Sequence, residues 1–155
     1  MTDVFSRAKR SDVMSHIRSK GNKKTEIALA KLFRTHKIVG WRRQPEIFGR
    51  PDFVFCQHHL VVFVDGCFWH MCPRHFSMPK NNRSFWKRKL EANVSRDKAV
   101  TSELKQRGWE VIRLWEHQLR DGPDGSVQKI RNALRLRRGT SGRLAKSRLH
   151  SDLSR

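Results

Sequence analysis

Gly49-Arg-Pro-Asp-Phe-Val-Phe55, then Leu60-Val-Val-Phe-Val-Asp65, then Gly66-Cys-Phe-Trp-His-Met-Cys-Pro-Arg-His75 are the pieces of the chain that decide its fold. Phe53 to Cys56 and Leu60 to Val64 are short runs of β-branched and aromatic residues, separated only by Gln57, His58 and His59. Runs of that length and composition around a polar turn predict a buried β-hairpin. Asp52 opens the first strand and Asp65 closes the second. Antiparallel pairing sets those two ends side by side, which is how a fold concentrates carboxylates around a metal. Beyond Asp65, two Cys and two His fall within nine residues, with Phe68 and Trp69 among them.

Outward from this stretch, the next regular element is a helix. From Trp86 one face carries Trp86, Leu90, Asn93, Asp97, Val100 or Thr101, and Leu104, and Gly108 ends the element as a C′ residue. A carboxylate on such a stripe is costly unless paired, while solvated positions existed at Lys87, Arg88, Lys98 and Lys105. Asp97 therefore reads as functional ahead of a structural hydrogen-bonding role. Trp109 to Glu116 alternates as a further strand, with His117 just beyond it. Upstream, Asn22 is an N-cap for a helix with Ala28, Leu29, Leu32, Phe33 and His36 on one face. Glu26 sits in its first turn, where the macrodipole alone would favour a carboxylate. A short strand is expected around Ile38 to Arg43, and a last amphipathic helix uses Val127, Ile130 and Leu134. The order α, β, β, β, α, β, α predicts an α/β fold, a mixed β-sheet flanked by helices. Residues 1–21 read as a basic arm, 22–138 as the domain and 139–155 as a basic, disordered tail.

Charge is the strongest compositional fact: 34 Lys and Arg against 14 Asp and Glu give +20 on 155 residues. Residues 131–155 hold eight Lys or Arg and one Asp, so the rest of the chain still carries +13. Nine Phe and five Trp argue for a folded core, and a folded, aromatic-rich cation of this size has nucleic acid as its expected partner. Membrane-surface binding is the lesser alternative, because no basic amphipathic helix with a large apolar face stands out. No apolar run reaches the roughly 18 residues that span a bilayer, and the N-terminus lacks a signal-peptide core, so a cytoplasmic protein is expected. In that compartment three Cys are ligands or core thiols rather than disulfides.

Three constellations carry chemistry. Cys67, Cys72, His75 and His117 make a Cys2His2 set suited to structural Zn²⁺, with a late ligand stapling the loop to the sheet. The alternative is two core thiols and two surface imidazoles. Asp52, Asp65 and Asp97 can hold one or two Mg²⁺ ions against a phosphodiester, and His70, left over from the zinc set, is placed to deprotonate a water. Phe68, Trp69 and Trp86 are either the loop's own small core or a wedge that slides between base pairs, where unstacking costs least at a mismatch. In the arm, Met14 among basic residues is a second candidate wedge for a DNA groove; a mobile N-terminus is the plain alternative.

Gly49 to Phe55, Val62 to His75, Phe85 to Asp97 and Gly108 to His117 together resemble the very short patch repair (Vsr) DNA mismatch endonucleases. Arg10 to Lys20 and Thr25-Glu26 fit the same family, so the resemblance runs from about Arg10 to Leu119. It implies a restriction-endonuclease-like fold and Mg²⁺-dependent hydrolysis of one strand of duplex DNA, on the 5′ side of T in a T:G mismatch left by deamination of 5-methylcytosine. It further implies that Asp52 and the backbone carbonyl of Val64 hold Mg²⁺. His70 would be the general base, with Asp97 orienting metal-bound water or His70, and with Glu26 and Asp65 in support. Cys67, Cys72, His75 and His117 would hold Zn²⁺, and Phe68, Trp69 and Trp86 would intercalate, with Met14 entering from the minor groove. A bacterial, nucleoid-associated protein is expected, a monomer by default, with mismatch-repair proteins as possible partners.

Two departures matter. The acid-x-Lys element of such nucleases is absent, since Val62 to Gly66 contains no Lys, and weight shifts to His70. The family also varies between Asp and His at position 65 and between His and Cys at position 117, so Asp65 is the less secure catalytic assignment. Two other readings remain at this stage. A zinc-stapled DNA-binding module without catalysis leaves Asp52, Asp65 and Asp97 unexplained, because acids near phosphate weaken binding unless a metal screens them. A restriction-type nuclease acting on undamaged DNA leaves the aromatic trio unexplained.

Overall fold

The computed structural model describes residues 23–151; the arm with Met14 and the Asn22 cap lie outside them. In chain order, α1 spans Lys23–Thr35, β1 Arg42–Arg43, β2 Phe53–Phe55, β3 Leu60–Asp65, α2 Arg83–Gln106, β4 Glu110–Trp115, α3 Glu116–Asp121 and α4 Pro123–Ser151. The four strands form one mixed sheet in the order β1-β2-β3-β4. The predicted hairpin is its centre: β2 pairs antiparallel with β3, Phe53 opposite Val62 and Phe55 opposite Leu60. β4 then joins β3 in parallel, Leu60 opposite Glu110 through Asp65 opposite Trp115. Parallel neighbours need a long crossover, and the loop after Asp65 together with α2 provides it.

Strand alternation sorts the side chains onto two faces. Phe53, Phe55, Leu60, Val62, Ile112 and Leu114 point to one side, where Leu29 and Phe33 of α1 and Val127 and Ile130 of α4 complete the larger core. Phe33, Phe53 and Phe55 are fully buried there, each contributing roughly 1.5–3 kcal/mol of hydrophobic stabilisation. Val54, Val61 and Phe63 point to the other side and pack on Leu104 of α2, with Val100 and Val111 against them. The sheet is thus covered by helices on both faces. Among the described residues no helix is long and apolar enough to cross a membrane.

Several boundaries differ from expectation. Cys56 leaves the strand for a 3₁₀ turn, Cys56–His58, that His59 closes at φ +47°. The strand expected over Ile38 to Arg43 shrinks to Arg42–Arg43, because Ile38 is buried in the larger core rather than paired. His117 lies in the first turn of a short helix, α3, that was not expected; Gln118 Oε1 accepts a hydrogen bond from the Trp115 N–H at 2.9 Å and secures its start. The last helix runs unbroken across the expected 138/139 boundary to Ser151. Arg, Leu, Ala and Lys beyond Gly142 are good helix formers, and extending an existing helix needs no new nucleus.

Candidate active site

The parity that builds the core also builds the site. Asp65 lies two residues after Phe63 in β3, and Arg113 two after Val111 in β4, so both face α2, the helix that carries Asp97. Asp52 precedes β2 by one residue and is tied to β3 twice: its N–H donates to the Val62 carbonyl at 3.0 Å, and its Oδ2 accepts from the Val64 N–H at 2.7 Å. Glu26 comes from the first turn of α1 and is 1% exposed. Its Oε2 accepts from Arg43 Nη2 at 2.8 Å and Gln44 Nε2 at 3.1 Å, while its buried Oε1 meets no hydrogen-bond partner among the described residues. Glu26, Asp52, Asp65, His70, Asp97 and Arg113 together line one cleft of about 870 Å³.

Its carboxylates are not alike. Burial pushes Asp52 up to about 7, and the charges of Glu26 and Asp65 add to this against the pull of the Val64 N–H. Burial also raises Asp65, against the attraction of Arg113 and His70. Burial works on Asp97 in the same sense, but the hydrogen bond from His70 and the Arg113 guanidinium outweigh it and hold its carboxyl below the usual range. His70 Nδ1 is in close hydrogen-bond contact with Asp97 Oδ2 and stands 3.8 Å from Asp65 Oδ1. A buried carboxylate oxygen with no partner among the described residues, beside an acid that resists ionisation, fits a divalent cation, and the hard oxygen donors suit Mg²⁺.

Past Asp65 the loop carries the second cluster. Donor atoms of Cys67, Cys72, His75 and His117 all lie within 4.8 Å of one another. Cys67 Sγ and Cys72 Sγ stand 3.2 and 3.5 Å from His117 Nδ1, and Cys72 Sγ stands 3.9 Å from His75 Nδ1. Tetrahedral Zn²⁺ with ordinary bond lengths requires S to N separations of about 3.6 Å, so the donor set fits that ion. Burial raises the Cys67 thiol to about 11, whereas for Cys72 burial is outweighed by hydrogen bonds from the Arg74 and His75 backbone and the His75 ring, which lower it. Burial and the neighbouring His75 and Arg74 lower His117, favouring the neutral imidazole a metal needs. Glu116 Oε1 accepts from the Cys67 N–H at 2.9 Å, joining the loop to α3.

Between the clusters stand the aromatics. Phe68 meets Trp69 edge-on at 5.2 Å and Trp86 at 5.4 Å, with Trp69 and Trp86 6.1 Å apart. All three are half-exposed, and Asn93 Nδ2 donates to the Trp69 carbonyl at 3.3 Å. Every described residue singled out from sequence thus falls in one of three adjoining groups. Arg113, Arg43, Gln44, Glu116 and Asn93 were not singled out. Arg113 had left a signal, as a charge between the apolar Ile112 and Leu114, on the half-buried face of the strand.

Carboxylates and an imidazole in a cleft of a strongly cationic α/β protein are the construction of a hydrolase that works on a polyanion. Comparison with known proteins makes the class specific. The family model for DNA mismatch endonuclease Vsr matches residues 2–75. The type II nicking enzyme V.NmeDIP of Neisseria meningitidis serogroup C is 37% identical over 141 residues, which cover 90% of this chain and 95% of that one. The DNA mismatch endonuclease Vsr of Escherichia coli K12 is 36% identical over 121 residues, 77% of each chain. The type II nicking enzyme V.NaeI of Lentzea aerocolonigenes is 48% identical over 69 residues, 44% of this chain and 42% of its own. The chain belongs to the Vsr family of DNA mismatch endonucleases.

Proposed function

We propose that this endonuclease nicks one strand of duplex DNA on the 5′ side of the T in a T:G mismatch, and that hydrolysis depends on Mg²⁺. The observation that carries this reading is the meeting of Glu26, Asp52, Asp65, His70 and Asp97 in one cleft beside the half-exposed Phe68, Trp69 and Trp86. Relatives named as nicking enzymes and as a mismatch endonuclease support single-strand cutting and the mismatch substrate respectively. The fold is then of the restriction-endonuclease-like kind.

Asp52 and the Val64 carbonyl would hold Mg²⁺, with Glu26 in support; when bound, the ion would supply positive charge that offsets the phosphate's. Asp97 engages His70 Nδ1 and leaves Nε2 to take the proton of the attacking water. The water oxygen forms the new bond to phosphorus as its proton passes to His70, the bond to the departing sugar oxygen breaks, and that oxygen takes a proton from solvent. A positioned base of this kind contributes about 10²- to 10⁴-fold. Phe68, Trp69 and Trp86 enter the stack beside the mismatch, where unstacking is cheapest, and Met14 is assigned to the minor groove. Cys67, Cys72, His75 and His117 would hold Zn²⁺, which fixes the loop bearing His70, Phe68 and Trp69.

The test is nicking of labelled duplexes that differ only in one T:G or T:A pair, across several flanking sequences, with Mg²⁺ or EDTA, for the native protein and Asp52→Ala. Mg²⁺-dependent cutting beside T in the mismatched duplex alone, lost in Asp52→Ala, is expected. Equal cutting of both duplexes would indicate a nuclease for undamaged DNA. Binding without cutting in every context, unchanged by Asp52→Ala, would leave a zinc-stapled binding module.

A further inference from the structure

Arg113 is the cation at the centre of the site, and every nitrogen of its guanidinium is engaged by the protein. Nη1 donates to both oxygens of Asp65, at 2.7 and 2.9 Å; Nη2 reaches Asp97 Oδ1 at 3.4 Å; Nε donates to Thr101 Oγ1 at 3.1 Å. The group also lies over the Phe63 ring, 4.4 Å from its centroid. A guanidinium held at each of its three nitrogens and on one face is a strut, anchored in the protein before any phosphate arrives.

What the strut separates is the competition for His70. Two carboxylates approach the same ring nitrogen: Asp97 Oδ2 hydrogen-bonds Nδ1, while Asp65 Oδ1 stops at 3.8 Å. Asp65 is 5% exposed, and both of its oxygens are occupied by Arg113. Freed of that clamp, a buried carboxylate so close to an imidazole would turn to it, because an unpaired buried charge is costly.

We propose that Arg113 is a positioning residue for hydrolysis: by clamping Asp65 and steering Asp97, it reserves His70 Nδ1 for Asp97 and fixes the imidazole in the orientation and tautomer that leave Nε2 to take the proton. This rests on the reading of the cleft as the hydrolytic site. It assigns to Arg113, together with Asp65, a role in setting the base rather than in touching DNA.

Three measurements test it. In single-turnover nicking under saturating DNA, Arg113→Met is expected to lose about 30- to 100-fold in rate with DNA affinity unchanged, because general-base geometry is lost and no DNA contact is. Arg113→Lys keeps the charge but cannot grip two carboxylates in a fork, and is expected to lose about tenfold. Asp65→Asn/Arg113→Met removes both partners of the clamp, which is far milder than leaving one charge buried alone, and is expected to nick faster than Arg113→Met. ¹⁵N spectra of the His70 ring in the DNA-free protein supply a readout without activity. A single Nδ1–H tautomer in the native protein should become a mixture in Arg113→Lys, the variant to use if Arg113→Met does not fold. An unchanged rate and tautomer would overturn the proposal. So would lost DNA affinity with an unchanged saturated rate, which would make Arg113 a DNA contact. Nicking retained by Asp52→Ala in the same assay would instead overturn the hydrolytic reading of the cleft, and the ring spectra would still report on Arg113.

Discussion

The chain gathers metal-type ligands twice, at either end of the same loop, and the two gatherings differ in almost every physical respect. The Asp52 cluster is made of hard oxygen donors from β3, α1, α2 and the segment before β2, and it opens into a cleft of about 870 Å³. Its charge is only partly compensated: Arg113 serves Asp65 and Asp97, Arg43 serves Glu26, and Asp52 is pushed up to about 7. The Cys67 cluster is made of soft sulfur and nitrogen donors, three from a nine-residue loop and one from α3, drawn within 4.8 Å. A closed set of soft donors belongs to a structural ion, and an open set of hard donors short of cations belongs to one that meets substrate. The difference predicts that the first cluster can be disabled with the fold intact, whereas the second cannot.

The sharpest break of that contrast is Asp52→Asn, which should reduce nicking by at least about 10³-fold while leaving the protein more stable without metal. The carboxyl of Asp52 has an ordinary value of 3.8 and a native one of about 7. Between those values the native state binds more protons than the unfolded state, so the contribution of Asp52 to stability is full at low pH and is lost as pH rises through 7. In Mg²⁺-free buffer that leaves zinc bound, the Tm of the native protein should therefore fall relative to that of Asp52→Asn as pH rises from 5 to 8, and Mg²⁺ should narrow the gap. A difference between the two proteins that stays constant with pH would mean that Asp52 is not the strained acid of the cluster.

Cys72→Ser probes the other side, with a smaller effect on rate and a larger one on the fold. It should remove one equivalent of zinc by metal analysis and lower Tm by about 10 °C or more, because the ion's binding energy is lost from folding. Nicking should fall about 10- to 100-fold, since His70 lies between Cys67 and Cys72 and loses its anchor. Zinc-free protein with an unchanged Tm would return the four residues to core thiols and surface imidazoles.

How far each region was legible follows from the distance over which its parts signal. The hairpin, the helix row through Asp97 and the strand after Gly108 announce themselves by local periodicity, and β2, β3, α2 and β4 stand where it puts them. The four Cys and His residues and the acids were legible as residue types in company. What was hidden is pairing across the sheet: that Arg113 opposes Phe63 follows only from the parallel register of β3 and β4, which no local pattern encodes. Likewise Glu26 looked like a helix N-terminal acid, and it is one. Its burial and its ties to Arg43 and Gln44 depend on a chain reversal beyond α1. The helix at His117 is six residues long, too short for periodicity to reveal.

The aromatics stand between the two clusters, and Trp69→Ala or Trp86→Ala should separate specificity from chemistry. One base stacked on an aromatic side chain is worth about 1–3 kcal/mol, so the ratio of T:G to T:A nicking should drop roughly 5- to 150-fold. Zinc content and the pH behaviour of Asp52 should hold. An unchanged ratio would make the trio the loop's own core.

The smallest effect expected on nicking comes from Gly49, where the segment carrying Asp52 rests on α2. Gly49 has φ +76°, and a Cβ there would lie 2.3 Å from Val100 Cγ1. Gly49→Ala therefore combines a left-handed backbone cost of about 1–2 kcal/mol with a contact that must give way. Val100 lies one turn from Asp97, so the displacement shifts Asp52 relative to Asp97, and nicking should fall a few-fold, about 2- to 5-fold. Gly49→Ala/Val100→Ala should relieve the clash and recover part of the rate, but not the backbone cost. Zinc content should be unaffected in both variants, because Gly49 and Val100 line the cleft of the acids, whereas Cys72, His75 and His117 line a different one. Zinc lost from Gly49→Ala would show that the two clusters stand or fall together, and the contrast between an open working site and a closed structural one would give way to a single cooperative unit.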